Sequence, residues 1–249
     1  MFRNLILCLL LTACASSNHK EEALLHLEMG SSFLQSGRYP EALRELLLAE
    51  KADTSNPIVQ NNLGLVYFIR EKSDVALKHL RRAVDLKSDY TEARNNLARV
   101  LIELSQYDKA ISELKVVLKD LTYVDTSKAF TNMGLAYFRR GQYTDAKKYL
   151  SQALKTNREN CLAYTLFGRS QMELGDTKAA ASSLDSAVVL CQPVEFDEPH
   201  YFAGLAYNKL GEREKAIARL EEVVKLYPSG KYNRKAQEML NSISKQVQR

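Results

Sequence analysis

Tryptophan is absent from the 249-residue sequence, and glycine (10), proline (5), histidine (4) and cysteine (4) are all sparse. So little glycine and proline supports few tight turns, which argues against a sheet protein built from many hairpins and in favour of helices. Four histidines and four cysteines are little material for a metal cluster, and the few glycines little for a phosphate loop. No HExxH, G-x-S-x-G, Walker or CxxC pattern occurs. An excess of one charge is missing too: 35 basic residues stand against 30 acidic ones. A dispersed surplus of five is too small to argue for nucleic acid. With 45% hydrophobic and 26% charged residues the chain is too apolar to stay disordered. The expectation is a helical protein that is not an enzyme, with no cofactor, no metal and no nucleic-acid partner.

Long apolar runs are also lacking, apart from one short run at the start. Arg3 precedes seven apolar residues, Leu5 to Leu11. That is far short of the roughly 20 residues that a spanning helix needs, so residues 1–13 read as a signal peptide. Leu11-Thr12-Ala13-Cys14 resembles the bacterial lipobox. The resemblance implies that the Cys14 thiol is diacylglycerated, the chain cut before it and the new amine acylated. The alternative is an ordinary secretory signal with a cysteine nearby. Two or more acyl chains give a stable anchor without a transmembrane helix. Residues 14–22 then form a lipidated tether, and the lack of Asp at position 15 implies the outer membrane, on its periplasmic face.

A period of 34 to 36 residues organises the rest. Gly30, Gly64, Ala98, Gly134, Gly168 and Gly204 recur in phase, each followed twelve residues later by Ala42, Ala76, Ala110, Ala146, Ala180 or Ala216. Four further on stand Leu46, Leu80, Leu114, Leu150, Leu184 and Leu220, and three beyond those Ala49, Ala83, Val117, Ala153, Ala187 and Val223. Gly37, Gly141, Gly175 and Gly211 mark turns between helices. The pattern resembles the tetratricopeptide repeat, in six copies over 23–56, 57–90, 91–126, 127–160, 161–196 and 197–230. It implies an all-α, right-handed α-solenoid over 23–230. The repeat's usual Trp at the fourth position is replaced by His26, Gln60, Arg94, Phe130, Tyr164 and His200. Residues 231–249 read as a capping helix, with Ala236, Met239, Leu240, Ile243 and Val247 on one face and lysines and amides on the other.

Cys161 and Cys191 hold the first and thirty-first positions of the fifth repeat. An antiparallel hairpin brings those two ends together, so a disulfide is expected in an exported protein; two buried thiols are the alternative, and a metal site lacks further ligands. In a tetratricopeptide solenoid the first helix of each pair lines a concave face. Its lining positions in repeats 2 to 4 carry Asn61, Leu65, Phe68, Asn95, Arg99, Ile102, Thr131, Leu135 and Phe138. These read as a partner-binding groove, with asparagines to hold an extended backbone and phenylalanines to receive apolar side chains; the alternative is packing between helices.

Two further features, the two-residue expansion at Leu121-Thr122-Tyr123 and the Cys161/Cys191 pair, make the chain similar to the Tgl/PilF/PilW family of type IV pilus lipoproteins. The resemblance implies a monomeric pilotin at the outer membrane that binds secretin subunits through its concave face and promotes their multimerisation. A tetratricopeptide adaptor of another envelope machine, for barrel assembly or peptidoglycan synthesis, is the alternative.

Overall fold

A computed structural model describes residues 20–192 and 196–245, and among them there are thirteen α-helices and no strand. The chain divides into two compact units at Asp120/Leu121. The first holds α1 (20–35), α2 (Tyr39–Ala52), α3 (Pro57–Ile69), α4 (Ser73–Leu86), α5 (Thr91–Glu103) and α6 (Tyr107–Val117). The second holds α7 (Thr126–Arg139), α8 (Tyr143–Thr156), α9 (Cys161–Glu173), α10 (Thr177–Cys191), α11 (Glu198–Leu210), α12 (Arg213–Leu226) and α13 (Asn233–Lys245).

Three helices, α3, α9 and α10, start on a side-chain cap. Asn56 accepts hydrogen bonds from the Ile58 and Val59 amides ahead of Pro57, and Asn160 accepts one from the Ala163 amide. The first helices stop in six copies of one motif. The amides of Arg38, Lys72, Gln106, Gln142, Asp176 and Glu212 each reach back to the carbonyl five residues earlier. This closes the first helix of every pair in a Schellman turn, which requires one residue in the left-handed region. Glycine fills that position at 37, 141, 175 and 211, with φ between +74° and +83°. Glu71 and Ser105 fill it in the second and third pairs, at φ 59° and 58°.

Packing within each hairpin explains the small residue of the period. A Cβ built on Gly64 would lie 2.5 Å from Leu80 Cγ, and one on Gly134 the same distance from Leu150 Cγ. The glycine therefore lets the two helices of one pair close until the leucine lies against bare backbone. The third pair does it with Ala98 and Leu114, both without exposed surface. All eighteen Ala, Leu and Val side chains that recur on the second helices are completely buried.

The fourth position, where Trp is missing, holds polar cross-links in the first unit. His26 Nδ1 pairs with Glu45 Oε2 at 2.8 Å, Gln60 with His79 at 2.8 Å, and Arg94 with Glu113 at 2.5 Å. Each partner stands nineteen residues further on, across the hairpin. The second unit differs: Phe130 and Tyr164 are aromatic, and His200 pairs with Glu222 at 2.8 Å. At its end α13 buries Ala236 and Ile243 and leaves Lys235, Gln237, Asn241 and Lys245 exposed, as is Lys231 just before it. Val247 lies outside the described residues. Within the same unit Cys161 and Cys191 are disulfide-bonded, their Cα atoms 5.1 Å apart across the α9/α10 pair.

Candidate protein-binding site

In the first unit, α1, α3 and α5 are laced by a ladder of amides. Asn96 donates to Asn61 (2.9 Å), Asn61 to Asn62 (3.1 Å) and Asn62 to the Ser31 hydroxyl (2.9 Å). Buried amides cost free energy unless they are paired, and this chain of bonds satisfies them while setting the spacing of three helices. Asn61 is thus engaged in holding helices together, and Asn95 and Ile102 are equally buried. Half-buried Leu65, Phe68 and Arg99 keep access to solvent. The Arg99 guanidinium stands 5.8 Å from the Phe68 ring centroid, within range of a cation–π attraction. An apolar ring, an aliphatic neighbour and a cation together make a small amphipathic patch.

The second unit repeats that pairing in tighter form. The Arg169 guanidinium lies 4.5 Å from the Phe138 ring and 4.2 Å from the Phe202 ring, and is ion-paired to Glu198. Phe202 meets Tyr232 edge-on at 5.5 Å, and Tyr232 stacks on Tyr201 at 4.8 Å. Burial, reinforced by Glu198, raises the Tyr232 phenol; burial and Glu238 raise that of Tyr201. Both phenols therefore stay neutral at neutral pH. Here the expected groove residues are interior. Phe138 and Leu135 are buried, and Thr131 donates to the Ser127 carbonyl (2.7 Å) while accepting from Asn160 (2.9 Å).

Of the nine residues expected to line a groove, six therefore pack between helices: Asn61, Asn95, Ile102, Thr131, Leu135 and Phe138. Leu65, Phe68 and Arg99 remain as candidates for contact. Sequence reasoning missed the Phe138–Arg169–Phe202–Tyr232 stack. Its signal was present, since a Phe at the twelfth position precedes an Arg at the ninth position of the next repeat in both units. It also missed a recess of about 330 Å³ between α4, α5 and α6, with Val84, Leu97 and Leu101 as its floor and Arg81, Asp85 and Glu113 among its walls. Cys14 lies outside the described residues. Among the described residues no cluster of three His, Cys, Asp or Glu side chains suited to a metal occurs, and no helix is long and apolar enough to cross a membrane.

Profiles of the tetratricopeptide repeat match residues 27–90, 68–122, 127–160 and 203–230, together more than half of the chain. The chain is a tetratricopeptide-repeat protein. Proteins of this kind carry a fold for protein–protein interaction, and the amphipathic patch of Leu65, Phe68 and Arg99 fits that use. Among curated relatives, human DnaJ homolog subfamily C member 3 is 27% identical over 214 residues, 81% of this chain. The chain spans only 42% of the length of that relative. The type IV pilus assembly protein PilF of Pseudomonas aeruginosa is 26% identical over 133 residues, 53% of each protein. Among solved structures, that of Pseudomonas aeruginosa PilF superposes with a TM-score of 0.74 at 20% identity, covering 89% of this chain and 99% of the other. The structure of PilW, a type IV pilus biogenesis factor, gives 0.77 at 19% identity, covering 86% and 98%. At these identities the superpositions establish the fold.

Proposed function

We propose that this tetratricopeptide-repeat protein acts in type IV pilus biogenesis as a lipoprotein. Cys14 anchors it to the periplasmic face of the outer membrane, where it binds secretin subunits and promotes their assembly into the multimeric channel. The observation that supports this most is end-to-end coverage: the PilF and PilW structures are covered over 99% and 98% of their length, whereas the DnaJ relative is covered over less than half. The lipobox-like Leu11-Thr12-Ala13-Cys14 supports the anchor. The contribution of the chain is binding. Leu65, Phe68 and Arg99 are the residues assigned to the contact, because aromatic side chains and arginine are enriched in protein–protein interfaces.

The test is secretin multimer yield in envelopes, with the level of this protein held equal. Phe68→Ala together with Arg99→Ala is expected to lower the yield, truncation of an aromatic anchor costing about 2 kcal/mol of binding. Lys148→Ala, an exposed site on α8, leaves it unchanged. Wild-type yield on complete deletion removes the pilus reading and leaves an adaptor of another envelope machine. Release of Cys14→Ala protein into the soluble fraction is expected as well, and its retention on membranes would remove the anchor.

A further inference from the structure

The first repeat carries an apolar surface that the repeat frame does not explain. At the third and seventh positions of the first helix, the second repeat has Val59 and Leu63, both without exposed surface. The first repeat has Leu25 and Met29 there, 57% and 39% exposed. Their exposure marks a stacking edge that no described residue covers. The second observation is independent of stacking. Leu47 and Leu48 on α2 are each 41% exposed, at positions where the other repeats carry mainly polar or charged residues such as Arg81-Arg82 or Glu221-Glu222. Leu24 adds a further exposed side chain at 53%. Five of the fourteen exposed large apolar side chains among the described residues thus fall in this one repeat.

We infer that this leucine face rests on the membrane that holds Cys14. The inference depends on the lipid anchor proposed above, and chain length supplies its argument. Five residues, 15–19, separate Cys14 from Lys20, the first described residue of α1, and the six Cα–Cα steps between them span at most about 20 Å. Leu24 and Leu25 follow little more than one helical turn later, a further 6–8 Å or so. A tether this short keeps the first repeat at the lipid surface, within reach of the headgroup–acyl boundary where amphipathic helices insert their apolar side chains. Glu21, Glu22 and Glu28 lie among the leucines of α1 and are balanced by Lys20 and by Arg44 and Lys51, which flank Leu47 and Leu48 on α2, so the surface carries no net charge. The surface therefore suits zwitterionic lipid better than anionic lipid, and the contact is insensitive to salt.

The lack of tryptophan makes a clean test. Lipidated protein with Leu25→Trp as its sole indole is reconstituted into phosphatidylcholine vesicles with brominated acyl chains, beside Val116→Trp, an exposed site on α6. Vesicle flotation reads the anchor, and emission reads the contact. Expected are flotation of both proteins, with a blue shift and quenching at position 25 only and no change on raising salt. Addition of Leu24→Glu and Leu48→Glu preserves flotation and the helical circular dichroism but abolishes the quenching. Flotation with equal, unquenched emission at both positions overturns the contact while leaving the anchor. Failure to float overturns both. A blue shift of Leu25→Trp that grows with concentration in lipid-free Cys14→Ser protein assigns the face to a second copy instead.

Discussion

The two units share one repeat frame but are joined internally by different chemistry. Residues 1–120 hold their hairpins with polar pairs, His26–Glu45, Gln60–His79 and Arg94–Glu113, and their first helices with an amide ladder. They also place Glu71 and Ser105 in left-handed turns. Residues 121–249 have glycine at all three equivalent turns, a disulfide across α9/α10 and an arginine stacked between two phenylalanine rings. Directional bonds between ionisable groups depend on protonation, whereas ring stacking, covalent closure and unstrained turns do not. The second unit has ionisable pairs as well, His200–Glu222 and Arg169–Glu198 among them, but it adds closures that do not depend on protonation, so the first unit is the more conditional of the two.

The sharpest way to break this contrast is to open the stack. Phe138→Ala is expected to destabilise the second unit by about 4 kcal/mol, as for other buried Phe→Ala changes. Phe68→Ala, at the half-buried equivalent in the first unit, is expected to cost about half as much. Denaturant unfolding of both variants checks the ratio, and equal costs would mean that the tighter arginine stack adds nothing.

Removing the disulfide follows closely. Cys161 and Cys191 close a loop of 30 residues, which the chain-entropy model converts to about 3.5 kcal/mol. Reduction, or Cys161→Ala with Cys191→Ala, should speed amide exchange in α9 and α10 and leave α1–α4 unchanged. Two free thiols in denatured, unreduced protein would refute the bridge outright.

Acid should act on the first unit before the second. Burial, opposed by Glu50, holds the His79 imidazole below its usual 6.5, so it is neutral in the folded state. The unfolded chain then binds more protons, and stability falls as pH drops through 6.5 towards the folded value. Glu45, held low chiefly by its bond to His26, adds a second loss as pH falls through about 4.5. Glu222 repeats this in the second unit: burial would raise it, but Arg219 and His200 together keep it low. A carboxylate step is therefore expected there as well. His79→Gln should remove the first step while Glu45→Gln removes part of the second, both visible in pH-dependent thermal melts.

The left-handed turns carry the smallest effect. Glu71→Gly and Ser105→Gly should each stabilise the first unit by roughly 0.5–1 kcal/mol, because a side chain in the left-handed region costs about 1–2 kcal/mol and glycine returns part of that as entropy. Gly141→Ser should cost the second unit a similar amount. Unchanged melting of all three variants would mean that the turns are not strained.

The second helices of the pairs were fully legible in the sequence, down to the eighteen buried side chains, because their burial is decided inside a hairpin by residues a fixed distance apart. Asn61, Asn95 and Thr131 were not legible as interior residues. Their exposure depends on how closely successive first helices approach, and that spacing is set by the Ser31–Asn62–Asn61–Asn96 ladder and the Asn160–Thr131 bond. Apart from the Asn61–Asn62 link, these bonds join residues 29 to 35 apart, and no residue type recurs through all six repeats to announce them. The disulfide was readable because both cysteines belong to one hairpin; the Arg169 stack joins three successive repeats and escaped notice.

The contact between each glycine and the leucine sixteen residues later has a kinetic consequence. Closing so short a segment costs little entropy, and chains dominated by local contacts fold quickly. Gly64 and Leu80, or Gly134 and Leu150, can meet as soon as their own 34 residues are free, without waiting for any other part of the chain. Folding can therefore start at any hairpin and spread to its neighbours. A chain emerging end first, from a ribosome or a translocation pore, needs only one repeat in hand to begin.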